Sequence, residues 1–447
     1  MLRPLPRTPS RLNRTEMSFR DKIWQINWSL ITVLTAIAGV GFATLYSAAQ
    51  GSMEPWAFKQ MIRFAIGIGL MISVAMVDLR FWMRHAYTLY AIAFILLVLV
   101  ELKGTIGMGA QRWIDLGFIQ LQPSEIMKIA LILSLARYFH GAGQQEIGRP
   151  IFLIPPLIMV FAPAILVLKQ PDLGTAMMLV MSSGALFFMA GVRMWKFVVV
   201  IAGGMGAVPV AWQFLREYQR KRVLIFLNPE DDPLGAGYHI TQSKIALGSG
   251  GLFGKGYMMG TQSRLNFLPE KQTDFIFTMF AEEWGMMGGL VLLGLYALLL
   301  AYGYAIAIRC RSQFGRLVAH GIATTFFLYF FINTAMVMGL VPVVGVPLPL
   351  ISYGGTAMLS LLVGWGLVMS AYIHRDTPIS RRGMGDDRPP ALSAVTSGRS
   401  EPRPLPARLA SRGVASYRGI WQFLATGSPA GLHIAHSPRT FCASARV

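Results

Sequence analysis

An aspartate stands where a long polar segment of this sequence turns into an apolar one. Asp274 ends the segment 215–274, which is far more polar than the chain on either side, and the stretch 275–304 carries no charge except Glu282 and Glu283. A carboxylate at such a boundary can meet water, a lipid headgroup and the first turn of a helix at once. Asp274 is therefore the first candidate for chemistry, and an ordinary helix cap is the alternative.

Two further candidates lie in the segment 101–123. Arg112 and Trp113 are adjacent and Asp115 follows, so the tryptophan lies between charged residues. Tryptophan rings concentrate at the interface between membrane and water. Trp113 is either an interfacial anchor or a residue that faces a substrate, and the residues alone leave both interpretations open.

Helix starts supply three more candidates. Glu125 and Lys128 follow Pro123 at a spacing that puts them on one helical face. A charge inside a membrane helix is costly, so Lys128 needs a partner or a task. The pair is either a structural ion pair or a source of positive charge for a lipid phosphate. Asp172 enters another helix, where it can cap the helix and also serve a ligand.

A basic cluster follows the seventh apolar segment. Its members are Arg216, Arg220, Lys221 and Arg222. Such a cluster fits contact with a lipid headgroup or a pyrophosphate, and simple attraction to the membrane surface is the alternative.

A short amphipathic piece, 238–247, and a glycine-rich stretch, 248–256, complete the long loop. The stretch is not a nucleotide-binding P-loop, because Gly256 stands where Ser or Thr is needed for magnesium. We interpret its glycines as a flexible connection.

Composition sets the class of protein. Hydrophobic residues make up 54% and charged residues 14% of 447 positions, and the apolar residues fall in blocks long enough to cross a bilayer. The net charge of +19 does not indicate nucleic-acid binding, because the Lys and Arg residues lie in loops and tails between apolar blocks. The two cysteines, Cys310 and Cys442, predict neither a disulfide framework nor a metal site.

The pattern predicts an all-α polytopic membrane protein with about ten transmembrane helices and one long extracytoplasmic loop between helices 7 and 8. The predicted spans are 28–46, 60–78, 82–100, 124–139, 151–168, 174–191, 197–214, 275–304, 317–340 and 355–373. The spans 124–139 and 197–214 fit least well, since the first is short and charged.

The connectors fix the predicted orientation. Short basic connectors fall on the same side as the basic N-terminus, and the positive-inside rule makes that side cytoplasmic. Both termini are then cytoplasmic. The chain divides into an N-terminal segment, 1–26, a membrane domain, 27–375, and a basic tail, 376–447, whose composition predicts disorder.

Three separated motifs resemble one known family. The motifs are Gln170-Pro171-Asp172-Leu173-Gly174-Thr175, then Pro269-Glu270 with Thr273-Asp274-Phe275-Ile276-Phe277 and Ala281-Glu282-Glu283, and finally Pro347-Leu348-Pro349-Leu350-Ile351-Ser352-Tyr353-Gly354-Gly355. In this order they resemble the SEDS family (shape, elongation, division and sporulation), and its elongation members more than its division members. The resemblance runs from about residue 23 to residue 375.

The resemblance implies a peptidoglycan glycosyltransferase of the bacterial cytoplasmic membrane. Such an enzyme polymerises lipid II on the outer face and works with a class B penicillin-binding protein, a transpeptidase. By position, the essential aspartate of the family corresponds to Asp274, its tryptophan to Trp113, and its Glu and Lys pair to Glu125 and Lys128. Gln272 stands where the family often has histidine, so we expect no proton relay there.

The implied chemistry joins a sugar hydroxyl of lipid II to the anomeric carbon of a glycan linked to undecaprenyl pyrophosphate. A hydroxyl needs a general base, for which Asp274 is the candidate. Cations must balance the charge on the leaving pyrophosphate. Candidate substrate-binding residues are Trp113, Arg112, Glu125, Lys128, Asp172, Arg216, Arg220 and Arg222. The sequence requires no cofactor and shows no metal-ligand cluster, although a divalent cation could share the work.

Two other classes of function fit parts of the sequence. Ten helices with intramembrane charges also suit a lipid II flippase. A flippase predicts charges along a path through the bilayer, whereas most charges here cluster toward the predicted outer face. A scaffold that only holds a partner would leave Lys128 and Asp274 without a task. Membrane lipids are expected partners in every case.

Overall fold

Long apolar helices form most of the described chain in this computed structural model. It describes residues 19–107, 110–115, 120–214, 217, 220, 224–226, 228, 236–261, 265, 271–377 and 379. Arg216, Lys221 and Arg222 of the predicted basic cluster, and most of the predicted tail, lie outside these residues.

The helices of the described chain are α1 (Phe19–Trp24), α2 (Trp28–Ala48), α3 (Ala57–Met76), α4 (Leu79–Lys103), α5 (Pro123–His140), α6 (Gln144–Ile147), α7 (Ile154–Lys169), α8 (Leu173–Ala190), α9 (Met194–Phe214), α10 (Ala236–Ser249), α11 (Ile276–Arg309), α12 (Gln313–Val337) and α13 (Gly355–Ile373). Each of the ten predicted spans coincides with one of them. The prediction of a helical, multi-pass membrane protein is confirmed.

Eight of the described helices are long and apolar enough to cross a membrane. The other two that coincide with predicted spans are α5, which contains Glu125 and Lys128, and the apolar helix α9. These are the two that fitted least well by sequence. Residues 198–207 of α9 are all exposed, as expected for a helix that faces lipid.

The helix α12 lies at the centre of the bundle, where it packs against α5, α8, α11 and α13. Helices in a membrane gain little from the hydrophobic effect, so small residues that allow close approach hold them together. The pair α3 and α13 shows this. A Cβ atom on Gly366 would stand 2.7 Å from the carbonyl oxygen of Met71, so a larger residue would push these helices apart.

A three-stranded antiparallel sheet connects α4 to α5, and the sequence did not predict it. Its strands are β1 (Thr105–Gly107), β2 (Ala110–Asp115) and β3 (Gln120–Leu121), in the order β1-β2-β3. Trp113 pairs with Thr105, and Ile114 pairs with Leu121. The strand β2 also contacts α4 and α5. The sheet therefore positions Arg112 and Trp113 against the helical bundle.

The helix α11 is broken at Gly285, whose backbone angles are φ 64° and ψ −164°. Only glycine adopts this conformation readily. The break leaves backbone groups of α11 without partners in their own helix, and the glycine-rich stretch 250–256 supplies those partners. The bonds are Lys255 N to Glu282 O (3.0 Å), Gly256 N to Glu283 O (3.1 Å), Met286 N to Gly251 O (2.9 Å) and Met287 N to Leu252 O (3.0 Å).

The interpretation of these glycines as a flexible connection was therefore wrong. Gly254 has φ +79°, and a Cβ atom there would overlap the carbonyl oxygen of Glu283. A Cβ atom on Gly250 would likewise overlap the carbonyl oxygen of Ala281. Glycine is needed because backbone packs directly on backbone. Irregular backbone at membrane depth is tolerated where protein buries it, and this stretch provides that cover.

Candidate active site

The segment that carries Asp274 is held at the end of the bundle where α5, α11 and α13 begin and α12 ends. We call this the site end. The N-cap position of α11 is Phe275, and its side chain makes no capping hydrogen bond. Asp274 precedes that position by one residue and is partly exposed. The N-cap residue of α11 is therefore Phe275 and not Asp274.

Three hydrogen-bond donors on neighbouring parts of the chain hold this segment in place. Asn333 Nδ2 on α12 donates to the carbonyl oxygen of Asp274 at 2.8 Å. Ser352 Oγ donates to the carbonyl oxygen of Thr273 at 2.6 Å, and the Tyr353 amide donates to the carbonyl oxygen of Gln272 at 2.8 Å. All three bonds end on backbone carbonyls, so they fix the segment without using the Asp274 carboxylate.

Asn333 also holds the loop 341–354, which links α12 to α13. Asn333 Nδ2 donates to the carbonyl oxygen of Val346 at 2.7 Å. Gly345 has φ +73°, and a Cβ atom there would stand 3.5 Å from Asp274 Oδ2. The carboxylate therefore lies against this loop, at a position where glycine permits the backbone conformation.

Glu125 and Lys128 form a buried ion pair, with Lys128 Nζ 2.7 Å from Glu125 Oε1. The Tyr329 hydroxyl donates to Glu125 Oε2 at 2.8 Å and accepts a hydrogen bond from Lys128. Ser360 Oγ donates to Glu125 Oε2 at 2.9 Å. These four residues line one pocket together with Thr325 of α12. The predicted ion pair exists, and it is part of a larger polar network below the site end.

The helix α12 brings the carboxylate and the cation into one neighbourhood. Tyr329 contacts the Glu125 and Lys128 pair, and Asn333 contacts the Asp274 segment. The two α12 residues are four positions apart, so they lie on one face about one turn from each other. The two motifs, far apart in sequence, are therefore neighbours along a single rigid helix.

Asp172 combines both roles considered for it. Its carboxylate accepts a hydrogen bond from the Thr175 amide at 3.1 Å and so caps α8. The same carboxylate lies 3.9 Å from Arg112 Nε. A Cβ atom on Gly174 would stand 2.6 Å from the carbonyl oxygen of Val344, so this helix start packs on the loop beside Asp274. Arg112 is thereby brought to the site end.

The other predicted site residues have mixed outcomes. Trp113 is partly buried on β2, a placement compatible with either interpretation given for it. Arg220 donates to the carbonyl oxygens of Trp212 (2.9 Å) and Gln213 (2.7 Å), and so binds the last turn of α9. Substrate contact by Arg220 stays a prediction.

Two adjacent buried glutamates stabilise the break in α11. Glu282 Oε1 accepts hydrogen bonds from Lys255 Nζ at 2.7 Å and from the Thr261 amide at 2.9 Å. Glu283 Oε1 accepts a hydrogen bond from Ser47 Oγ of α2. These carboxylates tie the glycine-rich stretch and α2 to the helix that begins after Asp274.

Burial changes the titration of one lysine near Asp274. Lys271 lies outside the spanning helices, and burial lowers the pKa of its amine. The ammonium form is therefore easier to deprotonate than that of an exposed lysine.

Over the described part of the chain, no group of three His, Cys, Asp or Glu side chains is placed to hold a metal ion.

Comparison with known proteins places this chain in a family. The profile of the family described as Cell cycle protein, for FtsW, RodA and SpoVE, matches residues 22–377. The chain belongs to this family. It is 44% identical over 376 residues to "Peptidoglycan glycosyltransferase MrdB" of Escherichia coli (strain K12), covering 81% of this chain and 97% of that protein. It is 31% identical to "Peptidoglycan glycosyltransferase RodA" of Treponema pallidum (strain Nichols), covering 77% and 96%.

Solved structures of the family share the fold. A chain from "Structural coordination of polymerization and crosslinking by a peptidoglycan synthase complex" aligns with a TM-score of 0.68 and 33% identity, covering 79% of this chain and 99% of that one. The rod shape determining protein RodA of Thermus thermophilus aligns with a TM-score of 0.60 and 29% identity, covering 78% and 97%. The resemblance to the SEDS family is confirmed.

The polar residues that hold the candidate site together were not among the predicted candidates. Tyr329, Asn333 and Ser360 lie in apolar helices, and Ser352 lies in the loop before α13. One signal could have found Asn333, because a polar amide within a spanning helix needs a partner or a task. Serine and tyrosine are common enough in such helices that their presence alone predicts nothing.

Proposed function

We propose that this chain is a peptidoglycan glycosyltransferase that polymerises lipid II into glycan strands during cell elongation. Its relatives with this activity by name, and the family to which the chain belongs, favour a polymerase over the flippase considered as the alternative. The site end then faces outward from the bacterial cytoplasmic membrane, with both termini in the cytoplasm. The basic connectors at the opposite end support that orientation.

One observation supports this proposal above the others. The Asp274 segment and the Glu125 and Lys128 pair both bind α12, about one helical turn apart. A glycosyl transfer to a hydroxyl needs a base on one side of the reacting carbon and positive charge near the leaving group. The site end supplies both kinds of group next to each other.

The reaction follows from these placements. The acceptor hydroxyl of lipid II attacks the anomeric carbon of the growing strand, and Asp274 takes the hydroxyl proton. A new glycosidic C–O bond forms while the bond to undecaprenyl pyrophosphate breaks. Lys128, with Arg216, Arg220 and Arg222 of the basic cluster, is proposed to balance the charge on that pyrophosphate. Arg112, Trp113 and Asp172 are proposed to contact the substrates at the site end.

The proposed partner is a class B penicillin-binding protein that crosslinks the strands. The structure that aligns with the higher TM-score comes from a peptidoglycan synthase complex that coordinates polymerization and crosslinking. We expect the chain to co-purify with the transpeptidase of its own organism. Recovery of the chain alone, under conditions where both proteins are folded in one membrane, would argue against a stable complex.

The test of the proposed base is Asp274→Asn with purified protein and labelled lipid II. The parent should make glycan strands, and the variant should be slower by ~10²-fold or more while it still folds and binds lipid II. Asp78→Asn is the matched control, because Asp78 caps α4 at the opposite end of the bundle. Strand synthesis by Asp274→Asn at the parental rate would show that another group takes the proton.

A further inference from the structure

Two cations lie on one stripe of α3, and the proposed mechanism does not use them. Lys59 and Arg63 are four positions apart, so they share one helical face. Lys59 is exposed and Arg63 is half-buried about 9 Å along α3 from Ala57. No carboxylate of the described residues lies within 4.0 Å of either cation.

An arginine at this depth calls for a physical explanation. Like charges at this spacing repel each other, and a charged side chain inside a membrane helix is costly without a partner. The Arg63 guanidinium carbon lies 4.8 Å from the centre of the Tyr353 ring. A cation over an aromatic ring is stabilised only modestly, and its charge is not neutralised. Within the described part of the chain, the charge of the stripe is therefore not neutralised by an anion.

The structure keeps Arg63 beside the site end. A Cβ atom on Gly355 would stand 3.0 Å from Arg63 Nε, so the missing side chain at Gly355 makes room for the guanidinium. Tyr353, on which the guanidinium lies, donates its amide to the carbonyl oxygen of Gln272. Gln60, one turn before Arg63, donates to the carbonyl oxygen of Ser352 at 2.9 Å. Arg63 thus reaches the Asp274 segment through one intervening residue.

The stripe and the Lys128 pocket lie on different faces of α13. Gly355 faces Arg63, and Ser360 donates to Glu125. Five positions on an α-helix correspond to about 140° of rotation. The helix α13 therefore separates two cationic sites, and both lie below the same Asp274 segment.

Polymerisation joins two lipid-linked molecules, and each has a pyrophosphate at the membrane surface. We propose that Lys59 and Arg63 bind the pyrophosphate of the acceptor lipid II, on the opposite face of α13 from Lys128. This assignment rests on the proposed glycosyltransferase function. The growing strand then loses its pyrophosphate on the Lys128 side, while the acceptor keeps its own pyrophosphate on the α3 side.

Kinetics with purified protein in neutral phosphatidylcholine vesicles test the assignment. Lys59→Gln combined with Arg63→Gln should raise KM for lipid II by about tenfold or more and leave kcat within about twofold, because contacts to a bound charge are lost. The single variant Arg63→Lys, which keeps the positive charge, should retain most of the parental affinity for lipid II. Arg80→Gln, which removes a half-buried cation at the other end of the bundle, should leave KM unchanged. The exposed Lys59→Gln alone should raise KM even where the double variant folds poorly.

Direct binding separates this inference from the proposed function. The parent should bind two molecules of undecaprenyl pyrophosphate and the double variant one, whether or not strands are made. A parent that binds two molecules but makes no strands would refute only the proposed function. An unchanged KM with unchanged stoichiometry would overturn the assignment. An effect seen only in vesicles with phosphatidylglycerol would also overturn it, because the stripe would then bind ordinary anionic lipid.

Discussion

Substitution of Lys128 by methionine distinguishes a structural ion pair from a cation that serves the substrate. The side chains of Lys128 and Glu125 are 4% and 5% exposed, and their charged atoms are 2.7 Å apart. Methionine keeps the length of lysine and removes its charge. Among the described residues, Glu125 is then left buried with the hydroxyls of Tyr329 and Ser360 as partners.

The expected loss of stability follows from that burial. Removal of one partner from a buried ion pair costs about 3–5 kcal/mol. The two hydroxyls still donate to Glu125, so we expect a loss near the lower limit, about 3 kcal/mol. Lys128→Met combined with Glu125→Gln removes both charges and keeps the shape. The free energy of unfolding of the double variant should therefore lie within about 1 kcal/mol of that of the parent.

The decisive measurement is strand synthesis by the stable double variant. If Lys128 balances charge on the pyrophosphate, this variant should polymerise lipid II at least ~10²-fold more slowly than the parent. Thermal unfolding in the same detergent confirms that the protein is folded. A double variant that is stable and polymerises at the parental rate would refute the role of Lys128 and leave the pair purely structural.

Two further predictions concern the fold. Gly254→Ala should destabilise the protein by at least ~3 kcal/mol in thermal unfolding, because φ is +79° and the methyl group would overlap the Glu283 carbonyl. The control is Gly248→Ala, which should be neutral or stabilising because there is open space at that position. With the tail cysteine replaced, Gly248→Cys should react with an impermeant thiol reagent from outside and Gly143→Cys should not. Burial raises the pKa of Cys310 to about 11, so its thiol should stay protonated and unlabelled at pH 7.5. If Gly143→Cys were labelled and Gly248→Cys were not, the proposed orientation would be wrong.

Length and hydropathy were sufficient to predict the helical spans. The bilayer requires about 20 apolar residues per crossing, so the spanning segments can be identified from their length and composition. The helix α5 departs from this rule because it carries two charged residues, Glu125 and Lys128, which pair with each other inside the protein. A local property of sequence cannot reveal a partner that lies elsewhere in the chain.

The contacts around the candidate site show the same limit. Glu125 binds Tyr329 and Ser360, which are 204 and 235 positions away. The glycine-rich stretch was misinterpreted because flexible linkers and tightly packed backbone have the same composition. What distinguishes them is the positive φ of Gly254 and the closeness of Glu283, and both are properties of the folded chain.

The way in which the Asp274 segment is held gives its asparagine substitution a clear meaning. Asn333, Ser352 and the Tyr353 amide all bind backbone carbonyl oxygens of the segment. Asparagine at position 274 has the same backbone, so these three hydrogen bonds remain available to it. It also matches the shape of aspartate but cannot take up a proton at neutral pH. A folded Asp274→Asn variant that binds lipid II and polymerises slowly would thus report the chemistry of the carboxylate and not a displaced loop.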